Sequence, residues 1–273
     1  MVKTYAVIGD PIDHSLSPNI HNAAFKDLEM DSTYIAYRIP KGELEEGVES
    51  LKKVNISGFN VTVPHKIEMM KYLDKVDEDC SVIGATNTVT FSDGVLKGYN
   101  TDMDGFLEPI KKRNLEIKDS KIFLLGAGGA ARAIVAAFAK EKAKEIIIAN
   151  RTIQKANELV DFAKNVGINA KAIPLEDSEK VASTCKFIIN STSLGLKNES
   201  SPIPVESISE NSIVYDIVYI PINTDLIKKA KEKGATIIYG YEMLLGQACR
   251  AFEIWHKREA PYEVMKRAIL GGF

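Results

Sequence analysis

The 273-residue sequence predicts an α/β fold in two domains: a Rossmann-like, doubly wound parallel-sheet domain and a second α/β domain with a mixed sheet. Three observations carry this. The length is close to twice a typical domain of about 150 residues. Short apolar runs alternate with amphipathic stretches from end to end, the rhythm of strand–helix–strand units. An apolar run at 121–125 enters a glycine-rich turn and then a helix-forming segment, the opening of a nucleotide-binding domain.

Taken in order, the first hundred residues read as strands at 5–8, 33–37, 58–63, 87–91 and 95–97. Helices read at 18–28, 41–53 and 67–73, with a short one at 79–83. Asp93-Gly94 between two strand-like runs is a hairpin signal, which makes this sheet mixed. From Lys121 the alternation is more regular, with strands at 121–125, 145–149, 170–173, 187–190, 213–217 and 236–239. The Ser/Pro/Asn cluster at 198–204 reads as a surface loop, and 242–270 as helix with Leu244, Ala248, Ala251, Phe252 and Trp255 on one face.

Composition narrows the function classes. With 45% hydrophobic and 26% charged residues, the chain is neither disordered nor coiled-coil in character. Thirty-five basic against 37 acidic side chains, a net charge of −2, remove the basic field that nucleic-acid binding needs. No apolar run approaches the roughly 18 residues of a membrane span, and the opening Met1 to Asp10 has too short an apolar run for a signal peptide. Cys80, Cys185 and Cys249 show no Cys-x-x-Cys pattern, so we expect a reduced, cytoplasmic, metal-free protein with packed cysteines.

The glycine turn is Gly126-Ala127-Gly128-Gly129-Ala130-Ala131. Gly126 permits a tight turn, Gly128 lets backbone approach a pyrophosphate, and small Ala131 allows helix and strand to pack closely. The helix N-terminus supplies free N–H groups to phosphate oxygens. About twenty residues on, where an NAD enzyme places a carboxylate for the ribose, stand Asn150-Arg151-Thr152, with Lys155 one turn further. A guanidinium suits the 2′-phosphate that distinguishes NADP, and a carboxylate would repel it.

Other polar groups have two readings each. Ser17 as N-cap with Pro18 at the first helical position is an ordinary helix start, yet Ser15, Ser17 and a helix N-terminus also suit a carboxylate. Asn60 and Thr62 alternate with Val61 and Val63 on a strand, and Lys66 follows just past its end, where α/β proteins hold ligands. His65 reads as a satisfied or exposed histidine. Asp102 or Thr101 reads as a helix cap, or Asp102 as a carboxylate that orients Lys66. Asn87 is a strand amide, and Gln247 lies on the apolar stripe of the terminal helix, where it needs a partner.

Together these segments resemble the shikimate dehydrogenase family over nearly the whole chain. The resemblance rests on Ser15-Leu-Ser17-Pro, Asn60-Val-Thr62-Val-Pro-His-Lys66, Ala85-Thr-Asn87-Thr and Gly98-Tyr-Asn-Thr-Asp102. It continues through Gly126-Ala-Gly-Gly-Ala130, Asn150-Arg-Thr152, Asn190-Ser-Thr-Ser-Leu-Gly195, Tyr215-Asp-Ile-Val-Tyr219 and Met243-Leu-Leu-Gly-Gln247-Ala. It implies an oxidoreductase of aromatic amino-acid biosynthesis that reversibly reduces 3-dehydroshikimate to shikimate with NADPH, a monomer or homodimer without nucleic-acid or membrane partners. It also implies a substrate domain of residues 1–101 and 240–273 around an NADP domain of 102–239.

Residue by residue, Ser15 and Ser17 match the carboxylate-binding serines. Thr62, Asn87, Asp102 and Gln247 match groups around the ring hydroxyls, with Asn60 and Tyr219 close by. Lys66 matches the catalytic lysine, and Glu78, Ile217 and Gly240 fall where the family approaches the cofactor. Departures are Met103, where the family often has Gly; Tyr241-Glu242, where smaller residues are common; and Lys155, where some members carry Arg. A broader quinate/shikimate dehydrogenase and a non-catalytic ligand sensor are the competing readings. The presence of both Lys66 and Asp102 weighs against the sensor.

Overall fold

In the computed structural model, which describes residues 2–197, 199–201 and 203–271, the chain divides into two units. One comprises residues up to Gly105 together with those from Leu245; the other is Phe106–Leu244. The cuts fall inside α4 (Asp102–Lys112) and α9 (Gly240–His256), a few residues beyond the helix starts at which the sequence suggests boundaries. Asp102 therefore belongs with the first unit, tied there by hydrogen bonds to Lys66 and Asn87.

The sheet of the first unit contains β1 (Lys3–Gly9), β2 (Ser32–Arg38), β3 (Gly58–Val61), β4 (Lys75–Val76), β5 (Thr88–Ser92) and β6 (Val95–Tyr99), in the order β2-β1-β3-β5-β6-β4. β1 runs parallel to β2 and β3, whereas β5 is antiparallel to both β3 and β6. The mixed sheet follows from the Asp93-Gly94 turn, whose φ angles of 53° and 77° suit a two-residue hairpin. β4 has only two residues, both exposed, and leaves no periodic signal in the sequence.

The remaining helices of this unit are α1 (Ser17–Asp27), α2 (Leu44–Lys53) and α3 (Glu78–Ile83). Buried Leu44, Gly47, Val48 and Leu51 form the inner stripe of α2, with Glu45 and Glu46 in its first turn and Lys52 and Lys53 in its last, as the helix dipole favours.

Three local expectations change. The strand expected over 58–63 stops at Val61, and all four of its residues are buried, so no polar face alternates with an apolar one. The helix expected at 67–73 is a tight 3-10 turn over Glu68–Tyr72. The single terminal helix is two, α9 and α10 (Tyr262–Leu270), because Lys257 turns left-handed (φ 53°) and Pro261 stands before the second.

The second unit holds β7 (Lys121–Leu125), β8 (Glu145–Asn150), β9 (Asn169–Pro174), β10 (Phe187–Asn190), β11 (Ile213–Asp216) and β12 (Thr236–Tyr239). All pairings are parallel, in the order β12-β11-β10-β7-β8-β9, so the winding reverses between β7 and β10, where such sheets bind ligands. Its other helices are α5 (Gly129–Lys140), α6 (Ile153–Asn165), α7 (Ser178–Ala182) and α8 (Asp225–Glu232). The central strands are buried on both faces, which is why they read as unbroken apolar runs. Within the loop expected at 198–204, Asn198 and Pro202 lie outside the described residues. The three cysteines are free and buried, and among the described residues no helix is long and apolar enough to cross a membrane.

Candidate active site

In the first unit, Lys66 leaves the end of β3 on a loop that is held from both sides. The His65 N–H donates to the Thr62 carbonyl (2.9 Å), and Thr86 N–H donates to the Lys66 carbonyl (2.9 Å). The His65 side chain is fully buried with Nε2 2.6 Å from the Ile39 carbonyl, so this histidine anchors the loop. Thr62, half-buried, packs its methyl where a side chain on Gly9 would lie: a Cβ there would meet Thr62 Cγ2 at 2.5 Å.

The Lys66 ammonium lies 2.5 Å from Asp102 Oδ2, with the two side chains 14% and 6% exposed. Asp102 opens α4, where the helix dipole favours a carboxylate. Its N–H donates to Asn100 Oδ1 (3.1 Å), and Asn100 is itself fastened by donating to the Ala85 carbonyl (2.8 Å). The other carboxylate oxygen, Oδ1, accepts from Asn87 Nδ2 (2.8 Å). Asn87 Nδ2 also reaches Thr101 Oγ1 (2.9 Å) and, at 3.5 Å, Gln247 Oε1 on α9. Asn87 Oδ1 accepts from the Thr101 N–H (2.8 Å) and from the Thr88 hydroxyl (3.0 Å). A cation and an anion this close and this shielded hold each other; removing either leaves an uncompensated charge.

Asn60, 5% exposed, lies within this network. Its amide donates to the Asn87 carbonyl (3.0 Å) and to Thr88 Oγ1 (2.9 Å), and its Oδ1 accepts from the Tyr34 hydroxyl (2.6 Å). Both amide hydrogens are thus committed to protein partners. Tyr34 is a neighbour of this network that the sequence reading passed over, and Thr101, read there as a possible helix cap, also bonds Asn87. The available signal was Tyr34 itself, the one fully buried residue of β2, since a buried phenol needs a partner.

Ser17 is not the N-cap of α1. Leu16 takes that position, Ser17 is the first helical residue, and the Ser17 N–H donates to Ser15 Oγ (3.3 Å). Ser15 thus serves the backbone here, while the Ser17 side chain is buried. Burial raises the Tyr34 phenol well above its ordinary range, and the Ser17 side chain offsets a part. Lys66, Asp102, Asn87, Gln247 and Asn60 therefore form one hydrogen-bonded cluster, which Tyr34 joins through Asn60; Ser15 and Ser17 bond each other beside α1. Glu78, exposed at the start of α3, has no hydrogen bond to it among the described residues.

In the second unit, the remaining candidates gather at the C-terminal ends of the parallel strands. Gly126, after β7, has φ +106°, and a Cβ there would meet Ser191 Oγ at 2.6 Å, so only glycine makes this turn. A Cβ on Gly128 would meet nothing within 4 Å, leaving open space beside the backbone. α5 starts at Gly129 with no side-chain cap on its free N–H groups, and Ala127 and Ala130 flank the turn half-buried. Arg132, in the first turn of α5, stacks over the Phe162 ring at 4.1 Å.

Asn150 ends β8 and donates to the Thr152 carbonyl (2.9 Å). Arg151, Thr152 and Lys155 are exposed, and neither Arg151 nor Lys155 has a hydrogen bond or ion pair from its side chain among the described residues. The stretch 150–155 contains no carboxylate. Two unneutralised cations beside an open glycine turn and an uncapped helix fit a dinucleotide with an extra phosphate.

Ile217 follows β11 with its N–H bonded to the Asn190 carbonyl (3.0 Å). Gly240 opens α9 so close to the Ile217 and Val218 carbonyls that a Cβ would sit 2.5 Å from each. Tyr219 is half-buried, and burial raises its phenol. Tyr241 stacks on Tyr239 (5.7 Å between centroids), while Glu242 pairs with Arg113 (2.8 Å) and accepts from the Tyr239 N–H (3.0 Å). These two departures are therefore absorbed by local packing. Among the described residues no group of three or more His, Cys, Asp or Glu could hold a metal ion.

Comparison with known proteins places this geometry in a family. Residues 7–89 match the shikimate dehydrogenase substrate binding domain, residues 109–203 the shikimate / quinate 5-dehydrogenase family, and residues 240–270 the shikimate 5′-dehydrogenase C-terminal domain. A shikimate dehydrogenase (NADP(+)) of Nitrosopumilus maritimus is 70% identical, with 100% of both chains covered. The crystal structure of shikimate dehydrogenase from Aquifex aeolicus superposes with a TM-score of 0.91 at 39% identity, covering 98% of this chain and 97% of that one. The shikimate 5-dehydrogenase of Thermus thermophilus, in complex with NADP(H) and shikimate, gives 0.88 at 33% identity, covering 99% and 100%.

Proposed function

The chain belongs to the shikimate dehydrogenase family, and on that basis we propose that it interconverts 3-dehydroshikimate and shikimate with NADP(H), using Lys66 and Asp102 as the acid–base pair. NADPH, when bound, supplies the hydride for reduction, and NADP+ accepts it in the reverse direction. Everything else falls to the chain. The Lys66 ammonium donates a proton to the oxygen at C3 as the carbonyl becomes an alcohol; in oxidation the neutral amine takes it back. Asp102 holds that ammonium in place and stabilises it, and its carboxylate offers an acceptor to the neighbouring ring hydroxyl. Asn87 holds Asp102 from the opposite side, so the carboxylate is aimed before any substrate arrives.

The other assignments follow the same logic. Ser15 and Ser17 bind the substrate carboxylate, with Thr62, Gln247 and Tyr219 around the ring hydroxyls. The substrate domain comprises 1–101 and 240–273, and the NADP domain 102–239. The glycine turn from Gly126 to Ala130 receives the pyrophosphate. Asn150, Arg151, Thr152 and Lys155 receive the adenosine end, and Glu78, Ile217 and Gly240 the remainder of the cofactor. The protein acts in the cytoplasm as a monomer or homodimer, where its buried thiols stay reduced.

The observation that carries the reading is the shielded Lys66–Asp102 pair fixed by Asn87. The experiment is NADPH consumption with 3-dehydroshikimate, repeated with dehydroquinate to test the broader substrate range, for the parent and for Lys66→Ala. We expect Lys66→Ala to lower kcat by about a hundredfold or more while leaving substrate affinity nearly unchanged, the usual scale for losing a positioned acid. An equal loss in binding would move Lys66 from proton transfer to substrate positioning. No turnover in the parent with either substrate would overturn the enzyme reading.

A further inference from the structure

Asn60 and Asn87 can each be turned over, exchanging a donor for an acceptor, and their orientation decides what Asp102 meets. Asn87 presents its NH2 to Asp102 Oδ1. It does so because its oxygen is occupied by the Thr101 N–H and the Thr88 hydroxyl. Thr88 Oγ1 accepts from Asn60 Nδ2 (2.9 Å) and gives its one hydrogen to Asn87 Oδ1 (3.0 Å), which is nearer than the Thr101 hydroxyl (3.3 Å). Asn60 points that NH2 inward because its oxygen accepts from the Tyr34 hydroxyl at 2.6 Å and its NH2 also donates to the Asn87 carbonyl at 3.0 Å.

The bonds therefore all donate in one direction: Tyr34 to Asn60, Asn60 to Thr88, Thr88 to Asn87, Asn87 to Asp102. Every member is buried: Tyr34 2%, Asn60 5%, Thr88 0%, Asn87 2%, Asp102 4% exposed. Water does not substitute readily for any link. The Tyr34 ring is held flat on His21, 4.5 Å away and 9° from parallel, which keeps its hydroxyl oxygen in place beside Asn60.

We infer that Tyr34 is a positioning residue for the reaction: its hydroxyl fixes Asn60 at the outer end of the Asn60–Thr88–Asn87 chain and so helps to hold Asp102 aimed at Lys66. The inference rests on the acid–base assignment of Lys66 and Asp102 given above. With the phenol gone, Asn60 Oδ1 is left buried without its donor, Asn60 is held through its NH2 alone, and Thr88, Asn87 and Asp102 behind it are aimed less firmly. That impairs proton transfer, which needs an aimed Lys66, more than substrate affinity, which several groups share.

The test is a double-mutant cycle on the full-length enzyme, assayed as shikimate oxidation with NADP+. Tyr34→Phe keeps the ring on His21 and removes only the hydroxyl. We expect kcat to fall by about tenfold with KM for shikimate within about twofold. We also expect Asn60→Ala to fall similarly, and the double variant to lie within about twofold of the worse single one, because both cut the same path. A kcat for Tyr34→Phe within twofold of the parent, or losses that multiply in the double variant, would overturn the inference. Should Tyr34→Phe not fold by circular dichroism, Thr88→Val cuts the path one link nearer Asp102 and must show the same kcat loss at unchanged KM; parental kcat there also overturns it. Lys66→Ala run alongside separates the two levels. If it retains turnover, the acid–base assignment has failed; if it is inactive while Tyr34→Phe is parental, only the positioning role has.

Discussion

His21 is a neutral imidazole fully buried on α1, with neither ring nitrogen hydrogen-bonded. It is stacked on Tyr34 and in ring contact with Phe25 and Trp255. Burial, assisted by the nearby His256, lowers its pKa from 6.5 to about 3. The folded chain thus refuses a proton that the unfolded chain accepts below pH 6.5, and stability is lost as pH falls from there toward about 3. At 1.36 kcal/mol per pH unit, the loss reaches about 2 kcal/mol near pH 5 and about 3 kcal/mol near pH 4. His21→Phe keeps an aromatic ring against Tyr34 and removes the titration. The assay is urea unfolding of parent and variant at about pH 7 and about pH 5, comparing the pH-induced difference within each protein. Any packing change that Phe introduces is common to both pH values and cancels, as does the contribution of His256. We expect the parent to lose about 2 kcal/mol more than the variant over this range. Equal losses would refute the reasoning, and would mean that water or a rearranged partner serves the imidazole.

Three further outcomes follow from the geometry. Arg151→Ala should raise KM for NADPH by about tenfold or more and leave that for NADH nearly unchanged, since only the former carries the 2′-phosphate; parallel increases would remove Arg151 from that contact. Asp102→Asn leaves Lys66 without its counter-charge and places an amide where Asn87 donates, so kcat should fall by about a hundredfold or more, read from initial rates, with parental far-UV circular dichroism. Gly126→Ala and Gly128→Ala should separate folding from cofactor binding. At Gly126, φ +106° and the Ser191 contact at 2.6 Å predict a destabilisation of about 1–3 kcal/mol by thermal melting. At Gly128 nothing lies within 4 Å, so the cofactor-free protein should keep its Tm while NADP+ affinity drops. A lowered Tm for Gly128→Ala would mean that the turn itself, rather than the ligand, requires glycine there.

Much of the molecule was legible because its information is local. The strand, glycine turn and helix around Gly126, the Asp93-Gly94 hairpin and the cation at Arg151 each occupy a few consecutive residues whose backbone preferences or charge declare them. What was not legible depends on partners distant in the chain. Ser17 reads as a cap until Leu16 takes that position and Ser15 takes the Ser17 N–H. Asn60 reads as a strand amide facing a ligand until Asn87, 27 residues away, and Tyr34, 26 residues away, use up its hydrogen-bonding groups. Lys66 and Asp102 were each recognisable, but their separation of 2.5 Å is set by strands and loops joining positions 36 residues apart.

Fold class, the winding of the second sheet, the preference for a phosphate-bearing dinucleotide and the residue types of the site were all written into the chain itself, because they rest on periodicity, turn chemistry and charge within short windows. Which amide faces which way, which histidine is stripped of water and how Tyr34 on the edge strand β2 is hydrogen-bonded through Asn60, Thr88 and Asn87 to Asp102 were settled by packing. A hydrogen bond's direction depends on every other bond its two atoms make, and those partners are brought together by folding alone.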